Sequence, residues 1–294
     1  MTQFLNLAVQ GLLVGGIYSL FALGFVLIYK SSRVLNFAQG EFLLLGAFVV
    51  WSLTVQLGAP LPLAILLSFG VALALGLGVE RLMLRPLIGQ PILGIIMATL
   101  GLSFILRGLW AIIWGAWVRA YPPLFPLKPL NLGGVLVGLE YLWGFVASMA
   151  FLGLFALFFK YSRRGLAMRV TADDQDAARS MGVVVKRVFA MAWVIAAMVA
   201  MMGGFFLGTI QGLNFSLAGV GLKAFPVVIL GGMESIVGLA IAGPIIGMAE
   251  SLAGGYLDGL VGGGIKEVLP FVIMVIILVI RPYGLFGWKE IERV

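Results

Sequence analysis

An all-α polytopic membrane protein of about eight membrane segments (about seven to nine at the limits), some of them discontinuous, is what this sequence predicts. Three observations carry that reading. Of the 294 residues, 62% are hydrophobic and 11% charged, with a mean hydropathy of +1.14, which leaves too little polar surface to coat a soluble globule. The 41 glycines fall mostly inside apolar runs, as in helices that pack through small residues, and the strand-like alternation of a membrane β-barrel is missing. The charges collect in short stretches between the apolar runs. Residues 1–294 read as one transmembrane domain.

The first run, Phe4 to Ile28, holds 25 residues without a charge and has no basic leader before it, so it is expected to remain as the first helix. Gly11 and Gly15 give it a small face for a neighbour. Lys30 and Arg33 close it on the cytoplasmic side, which puts the N-terminus outside. In VLNFAQGEFLLLGAF, the polar residues Asn36, Gln39 and Glu41 stand between two apolar runs. Two readings are open: a helix start at the membrane surface, with Glu41 on the positive end of the dipole, or side chains lining a path. The run Phe42 to Leu57 is short for a full span. Pro60 and Pro62 break the chain, and Leu61 to Val79 returns to Glu80, Arg81 and Arg85, of which Arg85 has the spacing to pair with Glu80. Pro91 to Trp114 is the next span. Its Arg107 is either functional or snorkels to the outer headgroups, and Trp110, Trp114 and Trp117 around it favour the second. The following proline-rich stretch reads as an external loop without a hydrophobic face of its own, and Glu140 to Phe159 crosses back.

Lys160 to Arg187 is the longest polar stretch, a cytoplasmic loop with seven bases against three acids. A helix from Ala172 to Met181 is expected inside it. Thr171 and Asp174 make a capping-box pattern, Asp173, Asp174 and Asp176 put negative charge on the positive helix end, and Gly182 is a stop. Ala177, Ala178 and Met181 share a face by their spacing, a strip too small to be a core. Val188 to Leu222 is then free of charge for 35 residues, one helix ending near Ile210 and a turn around Gln211 to Ser216. Lys223 to Leu230 is too short to cross alone. Gly231 and Gly232 interrupt it, and Gly243, Pro244 and Gly247 punctuate the next run. Such segments point to discontinuous helices beside a transport path. Glu234 reads as a helix cap and Glu250 as a helix end. Val268 to Ile280 is the last span, with Arg281, Lys289 and Arg293 holding the C-terminus in the cytoplasm.

The net charge of +7 does not indicate nucleic acid, because the bases lie in loops where they orient a membrane protein. Cysteine and histidine are both absent, which removes disulfides, thiol chemistry, thiolate metal sites and imidazole relays. The sequence holds no P-loop, no G-x-G-x-x-G between strand and helix, and no H-E-x-x-H or G-x-S-x-G. No enzyme activity and no cofactor is expected. What remains is transport, and the acids at segment ends suit a passive pore-former that needs an external engine better than a self-sufficient secondary transporter.

The segment from Asp176 to Gly182, DAARSMG, resembles the EAA-x-x-x-G signature of ABC importer permeases, with Asp in place of the first Glu. Together with LNFAQGE (Leu35 to Glu41), LKAFPVVILGGMESIVG (Leu222 to Gly238) and RPYGLFG (Arg281 to Gly287), it makes the whole chain similar to the permeases of branched-chain amino acid ABC transporters, LivH type. The resemblance implies a bacterial inner-membrane permease with four kinds of partner: a homologous second permease, two cytoplasmic ATP-binding subunits, a periplasmic substrate-binding protein and membrane lipid. It implies transport of branched-chain or related small amino acids, urea or short amides being the alternative within the family. It makes Asp173, Asp174, Asp176, Ala177, Ala178, Met181 and Gly182 the ATPase-coupling helix. It places Asn36, Gln39 and Glu41, and Gly231, Gly232 and Glu234, near the translocation path.

Overall fold

The computed structural model describes residues 2–88, 90–126, 128–281 and 283–287; the expected basic tail at Lys289 and Arg293 lies outside them. The elements in chain order are α1 (Thr2–Ser32), α2 (Gln39–Trp51), α3 (Leu61–Val79), α4 (Ile92–Trp114), the hairpin β1 (Leu130–Leu132) and β2 (Val135–Val137), α5 (Leu139–Tyr161), α6 (Arg163–Asp173), α7 (Gln175–Ser180), α8 (Val185–Gln211), α9 (Leu217–Val220), α10 (Ala224–Gly231), α11 (Ile236–Tyr256), α12 (Asp258–Val261) and α13 (Ile265–Ile280). Among the described residues, six helices are long and apolar enough to cross a membrane: α1, α3 with its extension to Leu87, α4, α5, α8 and α11. Shorter apolar segments make up the rest: α2 with a π-turn over Ser52–Gln56, the stretch Leu217–Gly231, and α13. The protein is an all-α polytopic membrane protein.

α1 is the centre of the bundle, buried from Ile17 to Ile28 and packed on α11, α8 and α5. Its small face is used on α11. A methyl group at Gly15 would stand 2.7 Å from the Gly243 carbonyl carbon and 2.8 Å from the Pro244 Cα, and one at Gly11 would stand 2.8 Å from the Met248 Cα. The two backbones therefore touch, which only glycine permits. This contact also explains why α11 runs unbroken through Gly243, Pro244 and Gly247 where the sequence suggested interruptions. Across the same seam Ser19 Oγ donates to the Leu239 carbonyl at 2.7 Å, one residue before Ala240, whose carbonyl Pro244 leaves without its helical donor.

At one end of the bundle lie Lys30, Arg33, the end of α5, α6 and α7, and the turn between α10 and α11. We call it the basic end. The opposite end holds the start of α1, the end of α8 and the loop after α4. That loop is not featureless. Its β1–β2 hairpin pairs Leu130 with Val137 and Leu132 with Val135, and buries Val137 against Leu13 of α1. Ahead of the hairpin, Tyr121 donates to the Ala47 carbonyl at 2.5 Å and Trp51 to the Ala120 carbonyl at 3.1 Å, so α2 ends under a lid of loop residues.

The π-turn Glu80–Leu84 at the end of α3 has a clear effect. Its wider coil brings residues five apart onto one side, and Arg85 grips the fully buried Glu80 carboxylate at 3.2 and 3.0 Å, the pairing expected from spacing.

Candidate functional site

The polar residues ahead of α2 form a closed knot inside the bundle. After α1 the chain turns at Arg33, whose φ of 56° is the left-handed conformation seldom adopted outside glycine, and re-enters the protein. Asn36 Oδ1 accepts the Ala38 amide at 3.0 Å, and its Nδ2 donates to Gln39 Oε1 at 3.2 Å. Gln39 Nε2 donates to the Ala196 carbonyl of α8 at 3.1 Å. Both side chains are fully buried. Gly40 packs against Ala218 and Gly221, so this first segment rests on the short α9 and the turn after it.

Glu41, buried in the first turn of α2, pairs with Arg107 of α4 at 2.9 Å, and Trp110 donates to the Glu41 carbonyl at 3.3 Å. The arginine does not simply snorkel: it is turned into the bundle to meet a buried acid, though about half of its side chain stays exposed. Sequence spacing could not show this, because the partners lie 66 residues apart.

A second knot sits at the basic end. Gly231 closes α10 against Gly238 at the start of α11, and Gly232 turns the chain with a φ of 98°. Gly232 also lies beside Gly287, and the Leu285 amide donates to the Leu230 carbonyl at 2.8 Å, so the terminal segment folds back over the turn. Glu234 pairs with Arg33 at 2.7 Å, its backbone carbonyl accepts Lys30 Nζ at 3.1 Å, and Arg33 also reaches the Ala172 carbonyl at 3.4 Å. The helix cap expected of Glu234 is made instead by Ser235, which accepts the Gly238 amide at 3.0 Å.

The polar loop contains two helices where the sequence suggested one from Ala172 to Met181. Ser162 caps α6 by accepting the Gly165 amide at 2.8 Å, and Thr171 lies inside α6, donating back to the Ala167 carbonyl, rather than capping a helix. The break is at Asp174. Its side chain accepts the amides of Asp176 at 2.8 Å and Ala177 at 3.0 Å, and a residue that caps in this way must leave helical φ/ψ, here for −151° and 116°. Those two amides, Ala177 first, hold the Asp174 carboxyl below its usual range. Gly182 ends α7 at a φ of 82°, as expected. The apolar strip divides: Ala178 is buried against the protein, whereas Ala177 and Met181 face outward, as do Asp173 and Asp176.

The site that sequence reasoning missed is at the opposite end. A cavity of about 510 Å³ lies between α1, α8, α11 and the start of α13, walled by Gly11, Val14 and Gly247 and bearing Tyr18, Gln211 and Glu250. Glu250 does not end a helix; α11 continues to Tyr256, and the Glu250 side chain is 4% exposed. Its Oε1 meets Lys223 Nζ at 2.7 Å, and the same ammonium meets Glu267 Oε2 at 2.9 Å. Lys223 sits where the chain turns from α9 into α10, which explains how a lysine reaches the bundle interior. The only signal in the sequence was the lone lysine beside a short broken segment.

Residues 7–278 match the family model described as branched-chain amino acid transport system / permease component. The chain is 30% identical, over 99% of its length and 98% of theirs, to the high-affinity branched-chain amino acid transport system permease proteins LivH of Salmonella typhimurium and BraD of Pseudomonas aeruginosa. It is 30% identical, over 93% of its length and 90% of the relative's, to the probable branched-chain amino acid transport permease protein LivH of Methanocaldococcus jannaschii. A structural match, PsaBC from Streptococcus pneumoniae in complex with Fab, covers 95% of this chain and 91% of that one at a TM-score of 0.49 and 16% identity. With a family model covering most of its length and relatives aligned almost end to end, the chain belongs to the branched-chain amino acid transport system permease family.

Proposed function

We propose that this permease is one membrane-spanning subunit of an ATP-binding-cassette importer, carrying branched-chain or related small amino acids across the inner membrane by alternating access. The observation that carries the reading is the outward face of α7. Ala177 and Met181 are exposed on a short, capped helix at the basic end, while Ala178 anchors that helix to the bundle. A small apolar face rimmed by Asp173, Asp176 and Arg179 suits a cleft on another protein, and the chain has no P-loop of its own. In this reading two cytoplasmic ATPases dock there, a homologous permease completes the pore, and a periplasmic binding protein delivers solute to the opposite end. The basic end is then cytoplasmic, with the N-terminus outside.

Arg33 supports coupling between the two parts. It touches α6 at Ala172 and the α10–α11 turn at Glu234, so a displacement of α6 and α7 is passed directly to Gly231 and Gly232. The path residues of this reading are Asn36, Gln39 and Glu41 with Gly231, Gly232 and Glu234.

The buried Lys223–Glu250 pair favours one rival, a secondary transporter with ionisable groups inside the membrane. Leucine uptake into proteoliposomes separates them. The proposal expects uptake only with the ATPase and binding-protein partners and ATP; uptake by this chain alone on an ion gradient overturns it.

A further inference from the structure

We infer that the chain is built from two copies of one fold in inverted orientation, α1–α4 and α8–α13, and that the cavity beside α11 has a counterpart at the basic end. The counterpart is shut here and opens to the same solute when the first cavity closes. The choice of solute rests on the reading of the chain as an amino-acid permease; the repeat does not.

The repeat is visible in the sequence once the structure aligns it. Leu35-Asn36-Phe37 and Leu213-Asn214-Phe215 each follow a long central helix, and in the same register Val49 and Val50 match Val227 and Val228. Both tripeptides make the same turn. Asn36 Oδ1 accepts the Ala38 amide at 3.0 Å and Asn214 Oδ1 the Ser216 amide at 2.9 Å, while their backbone carbonyls accept the Gln39 and Leu217 amides, each at 3.2 Å. From each turn the chain re-enters the bundle as a broken segment, α2 in one copy and α9 with α10 in the other. The first turn follows the basic end of α1 and the second the opposite end of α8, so the copies are inverted.

Packing obeys the same relation. α11 lies on α1 as α3 lies on α8, and both seams use glycine: a methyl group at Gly76 would stand 2.7 Å from the Val194 Cα, beside Trp193, the counterpart of Gly15. An ion pair of 2.9 Å ties each broken segment to the last helix of its copy, Glu41 to Arg107 of α4 and Lys223 to Glu267 of α13, with the charges exchanged. Gly40 and Ala218 are counterparts and they touch, a methyl group at Gly40 standing 3.0 Å from the Ala218 carbonyl carbon. A residue meets its own counterpart only at the axis that relates the copies. The connecting helices α5, α6 and α7 belong to neither copy.

Two copies of a fold have the same two arrangements open to them, and here they adopt different ones. Gln10 and Val14 of α1 and Ile210 of α8 line the cavity. Their counterparts are Val188 and Ala192 of α8 and Ser32 of α1. Val188 and Ala192 are buried, α8 packs there on the π-turn Glu80–Leu84, and α6 and α7 rest on α8 beside them. Exchange of arrangements between the copies opens this place and shuts the cavity. Both open at once would be a leak, and packed interfaces of this kind are bistable, so the two places alternate.

The absence of cysteine makes the test direct. Ser251→Cys reports on the cavity and Ala192→Cys on its counterpart, with Val188→Cys as the second reporter if Ala192→Cys does not fold. Each is placed in the full chain with its partner subunits. The rate of N-ethylmaleimide alkylation is measured in permeabilised membranes without ligand, with L-leucine, and with ATP and vanadate. A condition that slows the Ser251→Cys variant should speed the Ala192→Cys variant, and the converse. Each change is about tenfold when one arrangement moves from about nine-tenths of the population to about one-tenth. Rates that move together, that move at one position only, or that stay constant in all three conditions overturn the inference. Leucine uptake into sealed vesicles of the same preparation keeps the two conclusions apart. Uptake without reciprocal rates defeats this inference alone, and reciprocal rates without uptake defeat only the proposed function.

Discussion

Lys223 is the single base between a buried acid and an exposed one, and that asymmetry predicts an order of effects. Its side chain is 4% exposed, bonded to Glu250 (also 4% exposed) at 2.7 Å and to Glu267 (66% exposed) at 2.9 Å. Lys223→Met leaves Glu250 as a buried charge without a counterion, the case that costs about 3–5 kcal/mol. Glu250→Gln leaves Lys223 still paired with Glu267, so the loss is that of one buried charged hydrogen bond, about 1.5–3 kcal/mol. Glu267→Gln removes only a solvent-facing partner, about 0–1 kcal/mol. Replacing both members of the buried pair by methionine removes the desolvation penalty with the attraction, and should return stability to within about 1 kcal/mol of wild type. Equilibrium denaturation of the purified protein in detergent measures all four. The reasoning is refuted if Glu250→Gln destabilises as much as Lys223→Met, or if the double variant loses the sum of the two single losses.

Other predictions follow from the same geometry. Ala177→Arg should abolish ATP-driven uptake and ATPase copurification with normal membrane insertion, because Ala177 faces outward, whereas Ala178→Arg, at a fully buried position, should lower the yield of folded protein as well. The Asp174 cap is made by a carboxyl held below its usual range. It is therefore complete above the ordinary aspartate pKa of 3.8 and lost as pH falls through the lower folded value; hydrogen exchange at the Asp176 and Ala177 amides should show protection that drops only in that acid range and is absent in Asp174→Ala at neutral pH. Gly15→Val drives a side chain into the backbone of α11 and should cost about 1–3 kcal/mol or more, as in an overpacked core, while Gly101→Ala, inside α4 with open space around it, should cost nothing and gain up to about 1 kcal/mol in the same melting assay.

The spans were legible because they are long apolar runs, nearly free of charge, bounded by proline, glycine or bases: Leu61–Val79 is α3 to the residue, and α8 ends one residue beyond Ile210. Local chemistry also gave the Glu80–Arg85 pair and the glycine stop at Gly182. What escaped depends on partners distant in sequence. Glu41 finds Arg107, Glu234 finds Arg33 and Glu250 finds Lys223, and no window of neighbouring residues contains both members. The break between α6 and α7 escaped for a different reason. Asp174 fits equally well as a residue in a helix's first turn and as the cap of the next, and the competition between side chain and backbone decides it only when both helices have formed. Pro244 misled because intrinsic propensity is overruled where another helix packs close.

The contact between α1 and α11 has a mechanical meaning. Where side chains interdigitate, as where Phe21 of α1 fills the space beside Gly203 of α8, helices must change rotamers to slide past one another. Along Gly11, Gly15, Gly243 and Gly247 backbone meets backbone, and the side chains that reach in are small: Ser19, bonded to the Leu239 carbonyl, and Ser251. The surface works as a bearing, nearly without teeth, and axial shear along it meets less steric resistance than separation of the helices does. The same seam forms a wall of the cavity that holds Glu250. A single methyl group on it would be a tooth, locking two helices whose relative position shapes the cavity.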